Sequence, residues 1–341
     1  MNKESKIYVA GHTGLVGMNT IKELKERGYS NICTVSSDIV DLTSQIETDY
    51  FFNREIPDVV INCAGYVGGI IHNSKNQFDA LYMNMMISCN LIMNAIRHDV
   101  DAFINLGSTC IYPRNVSKIS ESDLLSGYLE PTNEGYALAK IASTKLTSYA
   151  QDELLKNFVT IMPTNLYGPG DNYNLVRSHV VAAIIRKTVL GNAFKEGDMD
   201  YIKKDLKKDI SLDSIDIKDF LNSHGIYEDR LVFMGDGSAV RDFMHVKDMA
   251  LIIVYTLELE NMPVGYFNVG SGHSLDIRSL LDIVVDIVGY SGKIEFDGAT
   301  NNNGTPSKDL DLSIMRSLGI NSNIRLEEGL RDTINKYKLD M

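Results

Sequence analysis

Tyr136-Ala137-Leu138-Ala139-Lys140 sets a phenol and an ammonium four residues apart, one above the other on a single face if the segment is helical. In that arrangement the cation can lower the phenol pKa and also hold a ribose. Ser108 lies 28 residues upstream, just past the apolar run Ala102–Leu106. When a hydride reaches a carbonyl carbon, the oxygen it leaves behind needs a proton, and a phenol held by a serine and a lysine suits that task. Tyr-x-x-x-Lys alone is a common accident on amphipathic helices. A strand-end serine and an N-terminal glycine motif in the same chain turn it into a candidate site.

The glycine motif is Gly11-His12-Thr13-Gly14-Leu15-Val16-Gly17, which follows one apolar run and opens a helix-period segment. Glycine is needed there if backbone is to approach a pyrophosphate closely at a helix N-terminus, where unpaired N–H groups and the helix dipole favour an anion. The alternative is a tight structural turn; the position after an N-terminal strand favours a dinucleotide. The end of the second strand, Thr34-Val35-Ser36-Ser37, carries neither an acid for a ribose hydroxyl nor an arginine for a 2′-phosphate. Ser36 and Ser37 can hydrogen-bond either group. Asp38 lies slightly further on, and Asp41-Leu42 can reach the adenine.

These residues need strands that end side by side. Lys6–Ala10 reads as a strand and Leu15–Arg27 as a helix stopped by Gly28; Val59–Asn62, Ala102–Leu106 and Phe158–Met162 read as further strands, with helices near Ala80–Arg97 and Tyr136–Leu155. Continuous apolar strands alternating with helices predict an α/β fold with a Rossmann-type doubly wound parallel sheet. The length, 341 residues, leaves room for a smaller C-terminal α/β substrate lobe. The expected division is residues 1–190 mainly for the dinucleotide domain and 191–341 mainly for the lobe, with the chain interleaving between them. Between about Asn192 and Arg230 the sequence becomes charged with both signs mixed. Only Ile217, Phe220 and Leu221, closed by Gly225, suggest a short amphipathic helix there. This insertion reads either as a solvated surface segment or as a lid or oligomer contact. Strand and helix signals resume at Leu231–Met234, Tyr266–Val269, Ile277–Val288 and Lys293–Phe296.

A net charge of −12 excludes nucleic acid as the expected partner. No run of eighteen apolar residues occurs and Met1–Ser5 lacks the apolar stretch of a signal peptide, so no membrane partner and a cytoplasmic location are expected. Cys33, Cys63, Cys89 and Cys110 show no metal-ligand or paired spacing; free thiols and no structural metal are expected.

Gly107-Ser108-Thr109-Cys110-Ile111-Tyr112-Pro113, Leu129-Glu130-Pro131-Thr132-Asn133-Glu134 and Met162-Pro163-Thr164-Asn165-Leu166-Tyr167-Gly168-Pro169 resemble the signature blocks of the GDP-L-fucose synthase family of extended short-chain dehydrogenases/reductases. Val67–Ile70, Asn84–Ile87 and Arg241–His245 add to the resemblance. It implies a homodimer that uses NADPH, with a GDP-linked 4-keto sugar epimerised at C3 and C5 and then reduced at C4. Ser108, Tyr136 and Lys140 match the reductive set, and Cys110 and His179 match the two residues that exchange protons on carbon. Protons beside a ketone are acidified because the carbanion delocalises as an enolate, so a thiolate and an imidazole can exchange them.

The resemblance places Gly11, Thr13, Gly14, Leu15, Val16, Ser36, Ser37, Asp41, Leu42, Ala64, Tyr136, Lys140, Pro163, Asn165, Leu166 and His179 at the cofactor. Ser108, Asn165, Arg186 or Lys187, Arg241 and Lys308, the last in Gly304–Lys308, go to the sugar nucleotide, whose phosphates call for basic groups.

Three positions depart from the family pattern. Thr13 replaces an arginine beside the cofactor, the second-strand arginine is absent, and Gly135 replaces the proline before the tyrosine. The insertion is similar to a lengthening in relatives that process GDP-linked heptoses, which makes a GDP-4-keto-heptose C4-reductase the alternative activity. A non-catalytic dinucleotide sensor is the alternative from another class.

Overall fold

The computed structural model describes residues 1–340 except 117, 176, 213–214, 300–304 and 306. Six parallel strands form the main sheet, in the order Ile32–Cys33, Ile7–Ala10, Val59–Asn62, Ala102–Leu106, Phe158–Pro163, Tyr266–Val269. Four of them are buried along their whole length, which is why they read as unbroken apolar runs. The chain leaves Ile7–Ala10 toward one neighbour and later returns on its other side. The crevice therefore opens between the ends of Ile7–Ala10 and Val59–Asn62, the place where doubly wound sheets bind ligands. Apolar clusters cover both faces of the sheet.

Tyr266–Val269 belongs to this sheet and is reached through the helix Val246–Glu258, so the chain re-enters the nucleotide half after building part of the second lobe. The second lobe is a mixed sheet, Ser274–Asp276, Val240–His245, Ser307–Leu310, Lys118–Ile119, with Asn165–Tyr167 also paired to Val240–His245. A parallel pair, Arg230–Phe233 with Lys293–Phe296, completes it.

The insertion is not a solvated surface segment. Its described residues include two helices, Met199–Leu206 and Ile217–Ser223, whose N-caps Asp198 and Asp216 accept the backbone N–H groups of Tyr201 and Asp219. Ile202, Leu206, Leu221 and Ile226 are buried in the lobe's own core with Phe194, Leu281 and Ile334. The second helix is the one its apolar spacing predicts. The first escapes such reading because Ile202 and Leu206 are the only aliphatic residues on its buried face.

Candidate active site

The glycine turn closes by a hydrogen bond from Gly14 N–H to the Gly11 carbonyl at 3.0 Å. Gly11 has φ +74°, and a Cβ there would stand 2.6 Å from the backbone nitrogen of Ala64, at the end of the neighbouring strand. The helix Leu15–Glu26 opens at Gly14 with no side-chain cap and no acidic residue in its first turn, so its N-terminal N–H groups remain for an anion. Thr13 and Gly14 are exposed at this edge, with Leu15 and Val16 half-buried behind them. A dinucleotide pyrophosphate fits this arrangement.

Beneath it runs a buried amide chain that the apolar strand pattern had obscured. Asn62 donates to Asn105 Oδ1 at 3.0 Å and accepts Ala64 N–H at 3.1 Å; Asn105 donates to Ser143 and Thr160. The signal for it was an asparagine near the C-terminal end of each strand. Asn84 likewise bonds both the N–H and the carbonyl of Tyr66, which holds the loop after Ala64.

Ser36 and Ser37 lie beyond the second strand, which ends at Cys33. The Ser36 hydroxyl lies close enough to the Asp38 carboxylate to hold its pKa below the usual value. Asp41 is turned onto Thr43, accepting its N–H and hydroxyl at 2.8 Å, while the Leu42 carbonyl accepts Asn90.

Ser108, Cys110, Tyr136 and Lys140 converge at the end of Ala102–Leu106. Ser108 caps the short turn Thr109–Ile111, accepting Cys110 N–H at 3.2 Å, and its side chain lies close enough to the Tyr136 phenol to lower its pKa. Lys140 Nζ donates to the Leu106 carbonyl at 2.7 Å and stands 5.7 Å from the Tyr136 ring centroid. The expectation that Lys140 lowers the phenol pKa is not met here. Burial drives the phenol pKa upward and the nearby Cys110 adds to this; only Ser108 opposes them. A phenol that stays protonated is suited to act as an acid. Burial also brings Lys140 down to about 8, against the opposing pull of Cys63 and Cys110.

Gly135 has a structural reason to be glycine. Its N–H donates to Gln77 Oε1 at 2.7 Å, which proline cannot do, and a Cβ would lie 2.4 Å from the Gln77 carbonyl. Gln77 also donates to the Pro131 carbonyl, so it clamps the turn leading to Tyr136.

His179 opens the helix Val180–Glu196 but does not cap it with its side chain. The residue is exposed at the protein surface, and the protein packed around it lowers its pKa from the usual value. No hydrogen bond among the described residues joins it to Cys110.

Across the cleft, Arg241 lies in the electrostatic field of Cys110 and Glu130; burial lowers its pKa and these two groups oppose the shift. Lys308 is in register with Arg241 on the adjacent strand, so both side chains share one face. Gly304 and Pro306 of its loop lie outside the described residues. Glu130 accepts from Thr132 and Thr305 and so joins the turn before Tyr136 to the Lys308 segment, a role its place in the Leu129–Glu134 motif did not reveal. Asn165 donates to the Asp242 carbonyl at 3.0 Å beside Thr164, which does the same; Pro163 ends its strand and Leu166 pairs with Met244.

Arg186 is not available for phosphates: it is buried and paired with Asp205 and Asp209. The Lys187 ammonium donates to the Val232 carbonyl and lies 4.9 Å from the Phe233 ring centroid; burial lowers its pKa to about 8, opposed by Asp297. Among the described residues, no hydrogen bond or ion pair joins it to Ser108, Cys110, Tyr136 or Lys140.

Residues 7–270 match the NAD dependent epimerase/dehydratase family. GDP-L-fucose synthase 1 of Arabidopsis thaliana is 36% identical over 337 residues, covering 98% of this chain and 94% of that protein. The chain belongs to this family, in its GDP-L-fucose synthase branch. Two solved structures from Campylobacter jejuni are also similar. A GDP-6-OMe-4-keto-L-xylo-heptose reductase shares 29% identity at a TM-score of 0.94, covering 100% of this chain and 99% of that one. A GDP-D-glycero-L-gluco-heptose synthase, solved in the presence of NADPH, shares 30% identity at 0.91, covering 99% of each chain. Within the family, a strand-end serine with a Tyr-x-x-x-Lys helix and a glycine-rich first turn is the arrangement seen here.

Proposed function

We propose that this chain epimerises a GDP-linked 4-keto-6-deoxy sugar at C3 and C5 and reduces it at C4 with NADPH, as a GDP-L-fucose synthase does. The observation that carries this reading is the convergence of Ser108, Cys110, Tyr136 and Lys140 at one strand end, facing Arg241. When bound, NADPH supplies the hydride. Gly11, Gly14 and the open helix start hold its pyrophosphate, and Lys140 holds its ribose. Tyr136, kept protonated by burial, gives its proton to the C4 oxygen while Ser108 orients that oxygen. Cys110 and His179 exchange the protons on carbon, and the phenol stabilises the enolate between those steps. Arg241 and Lys308 hold the substrate phosphates.

The alternative substrate, a GDP-4-keto-heptose, is favoured by the likeness to the heptose reductase over the whole chain, folded insertion included. The nucleotide half and the substrate lobe divide near residue 190 in this reading. We place the enzyme in the cytoplasm. No helix among the described residues is long and apolar enough to cross a membrane. It is a homodimer in this reading, joined through an exposed stripe, Phe78, Tyr82, Met85 and Met93, beside Leu138 and Tyr149 on the adjoining helix.

The test is NADPH oxidation over a panel of GDP-4-keto-6-deoxy-hexoses and heptoses, run in heavy water. The expected product carries deuterium at C3 and C5, and Cys110→Ser and His179→Gln slow that uptake while hydride transfer persists. A wild-type product without deuterium at either carbon leaves a 4-reductase. No oxidation over the whole panel leaves a dinucleotide sensor.

A further inference from the structure

The chain that leads into His179 is held from behind by a polar cluster outside the cleft. Arg186 lies two turns into the helix that follows His179 and is 2% exposed. Its Nε and Nη2 donate to Asp205 Oδ1 at 2.8 and 2.6 Å. Its Nη1 donates to the Tyr173 carbonyl at 2.9 Å and to the Asp209 carboxylate. The other Asp205 oxygen accepts the Tyr337 hydroxyl, and the Tyr337 ring lies against that of Tyr173 with centroids 4.4 Å apart. These residues line a cavity of about 260 Å³. Asp205 and Asp209 belong to the insertion and Tyr337 to the C-terminal helix Leu326–Leu339.

Among the described residues between Tyr173 and His179, three hydrogen bonds hold the backbone. Ser178 N–H donates to the Asn174 carbonyl at 3.0 Å, Arg177 N–H donates to Asn174 Oδ1 at 3.1 Å, and the Arg177 carbonyl accepts Gly69 N–H at 3.0 Å. We propose that the insertion is a positioning device for His179. Asp205 and Asp209 orient the Arg186 guanidinium, which pins the Tyr173 carbonyl and so fixes where the imidazole stands. The planar fork serves two carboxylates and a backbone carbonyl from three separate nitrogens, a spread that the single nitrogen of a lysine ammonium does not reproduce. The insertion turns Ile202, Leu206 and Leu221 inward, away from any surface that a lid would use. This inference rests on reading His179 as a proton-exchanging group.

The test separates proton exchange from hydride transfer in the full-length enzyme. Deuterium uptake by the GDP-4-keto-6-deoxy sugar is followed in heavy water without NADPH; NADPH is then added once exchange is complete, and its oxidation is timed. Tyr337→Phe keeps the ring against Tyr173 but drops the bond to Asp205, and Asp209→Asn removes one carboxylate from Arg186. Both should lower the ratio of exchange rate to hydride-transfer rate by about three- to tenfold, with Arg186→Lys lowering it further, as expected for a misplaced reacting group. Simple loss of folded enzyme lowers both rates together and leaves the ratio alone. An unchanged ratio in Tyr337→Phe and Asp209→Asn overturns the proposal, and these two decide it should Arg186→Lys fail to fold. Wild-type enzyme without exchange at C3 or C5 takes His179 out of carbon chemistry and the proposal with it. Normal wild-type exchange with unchanged variant ratios sinks the positioning role alone.

Discussion

On the sheet side of the cleft, Gly11, Ala64, Ser108 and Pro163 all stand at or within two residues of the C-terminal end of a parallel strand. Backbone pairing between neighbouring strands sets their spacing before any side chain takes part. The opposite side is built otherwise. Arg241 is placed by a strand that pairs with segments near 165, 275 and 308, and Glu130 ties the Thr305 segment to the turn before Tyr136. One side is fixed by a regular ladder, the other by contacts between distant parts of the chain. Damage to chemistry should therefore be sharp and local on the first side, and damage to binding graded on the second.

Tyr136→Phe is the severest break on the sheet side. The ring and its helix packing remain while the proton donor disappears. Reduction should fall by ~10²–10⁴-fold, with dinucleotide affinity nearly unchanged. Stopped-flow NADPH oxidation and a fluorescence titration read the two quantities. Near-normal turnover would remove the phenol from the mechanism.

Arg241→Ala is the corresponding break across the cleft. A charge-assisted hydrogen bond to a phosphate contributes about 1.5–3 kcal/mol, so KM for the sugar nucleotide should rise by about ten- to a hundredfold with a smaller change in kcat. Lys308→Ala, in register beside it, should do less, because a half-exposed ammonium is better screened. Equal losses of kcat in both variants would erase the contrast between the two sides.

The same contrast explains what the sequence made legible. Val59–Asn62, Ala102–Leu106 and Tyr266–Val269 end where their apolar runs end, and the Tyr136–Lys140 spacing survives because one helix carries both residues. The Gln77 clamp on Gly135 joins residues 58 positions apart, and the Arg186–Asp205 pair joins two helices across the insertion boundary. Neither has a periodicity to betray it. The resemblance therefore placed Arg186 or Lys187 at the phosphates, although burial and two carboxylates commit Arg186 elsewhere. The Tyr136 shift runs against the spacing for a related reason, since four residues on a helix show that Lys140 is near but not that burial and Cys110 raise the phenol pKa.

A pH titration of cofactor binding probes the sheet side more gently. Burial has brought Lys140 to about 8 from its usual 10.5, so the charge that would hold an anionic dinucleotide is present below pH 8 and is lost as pH rises through it. NADPH affinity should be flat from pH 6.5 to 7.5 and weaken by up to about tenfold between pH 8 and 9. Lys140→Met should bind weakly throughout and lose the step. A wild-type affinity constant to pH 9.5 would show that Lys140 does not titrate in this range.

The smallest expected effect lies at the rim of the same side, where the ladder has ended and the regular placement stops. Thr34–Ser37 carry no arginine for a 2′-phosphate; instead, the Ser36 hydroxyl stands beside the exposed carboxylate of Asp38 and lowers its pKa. A 2′-phosphate arriving at Ser36 would have to draw that hydroxyl away and tolerate the carboxylate charge, whereas the ribose hydroxyl of NADH meets no such repulsion. Asp38→Asn removes the charge but keeps a side-chain acceptor for Ser36. NADPH affinity should therefore rise by about two- to fivefold while NADH affinity stays constant, the size expected of one solvent-screened charge, and the gain should shrink as salt is raised. Paired fluorescence titrations of both cofactors at low and high salt measure this directly. If Asp38→Asn shifts NADH and NADPH equally, or if salt leaves the difference untouched, the carboxylate does not face the 2′ position and Ser37 becomes the residue to test.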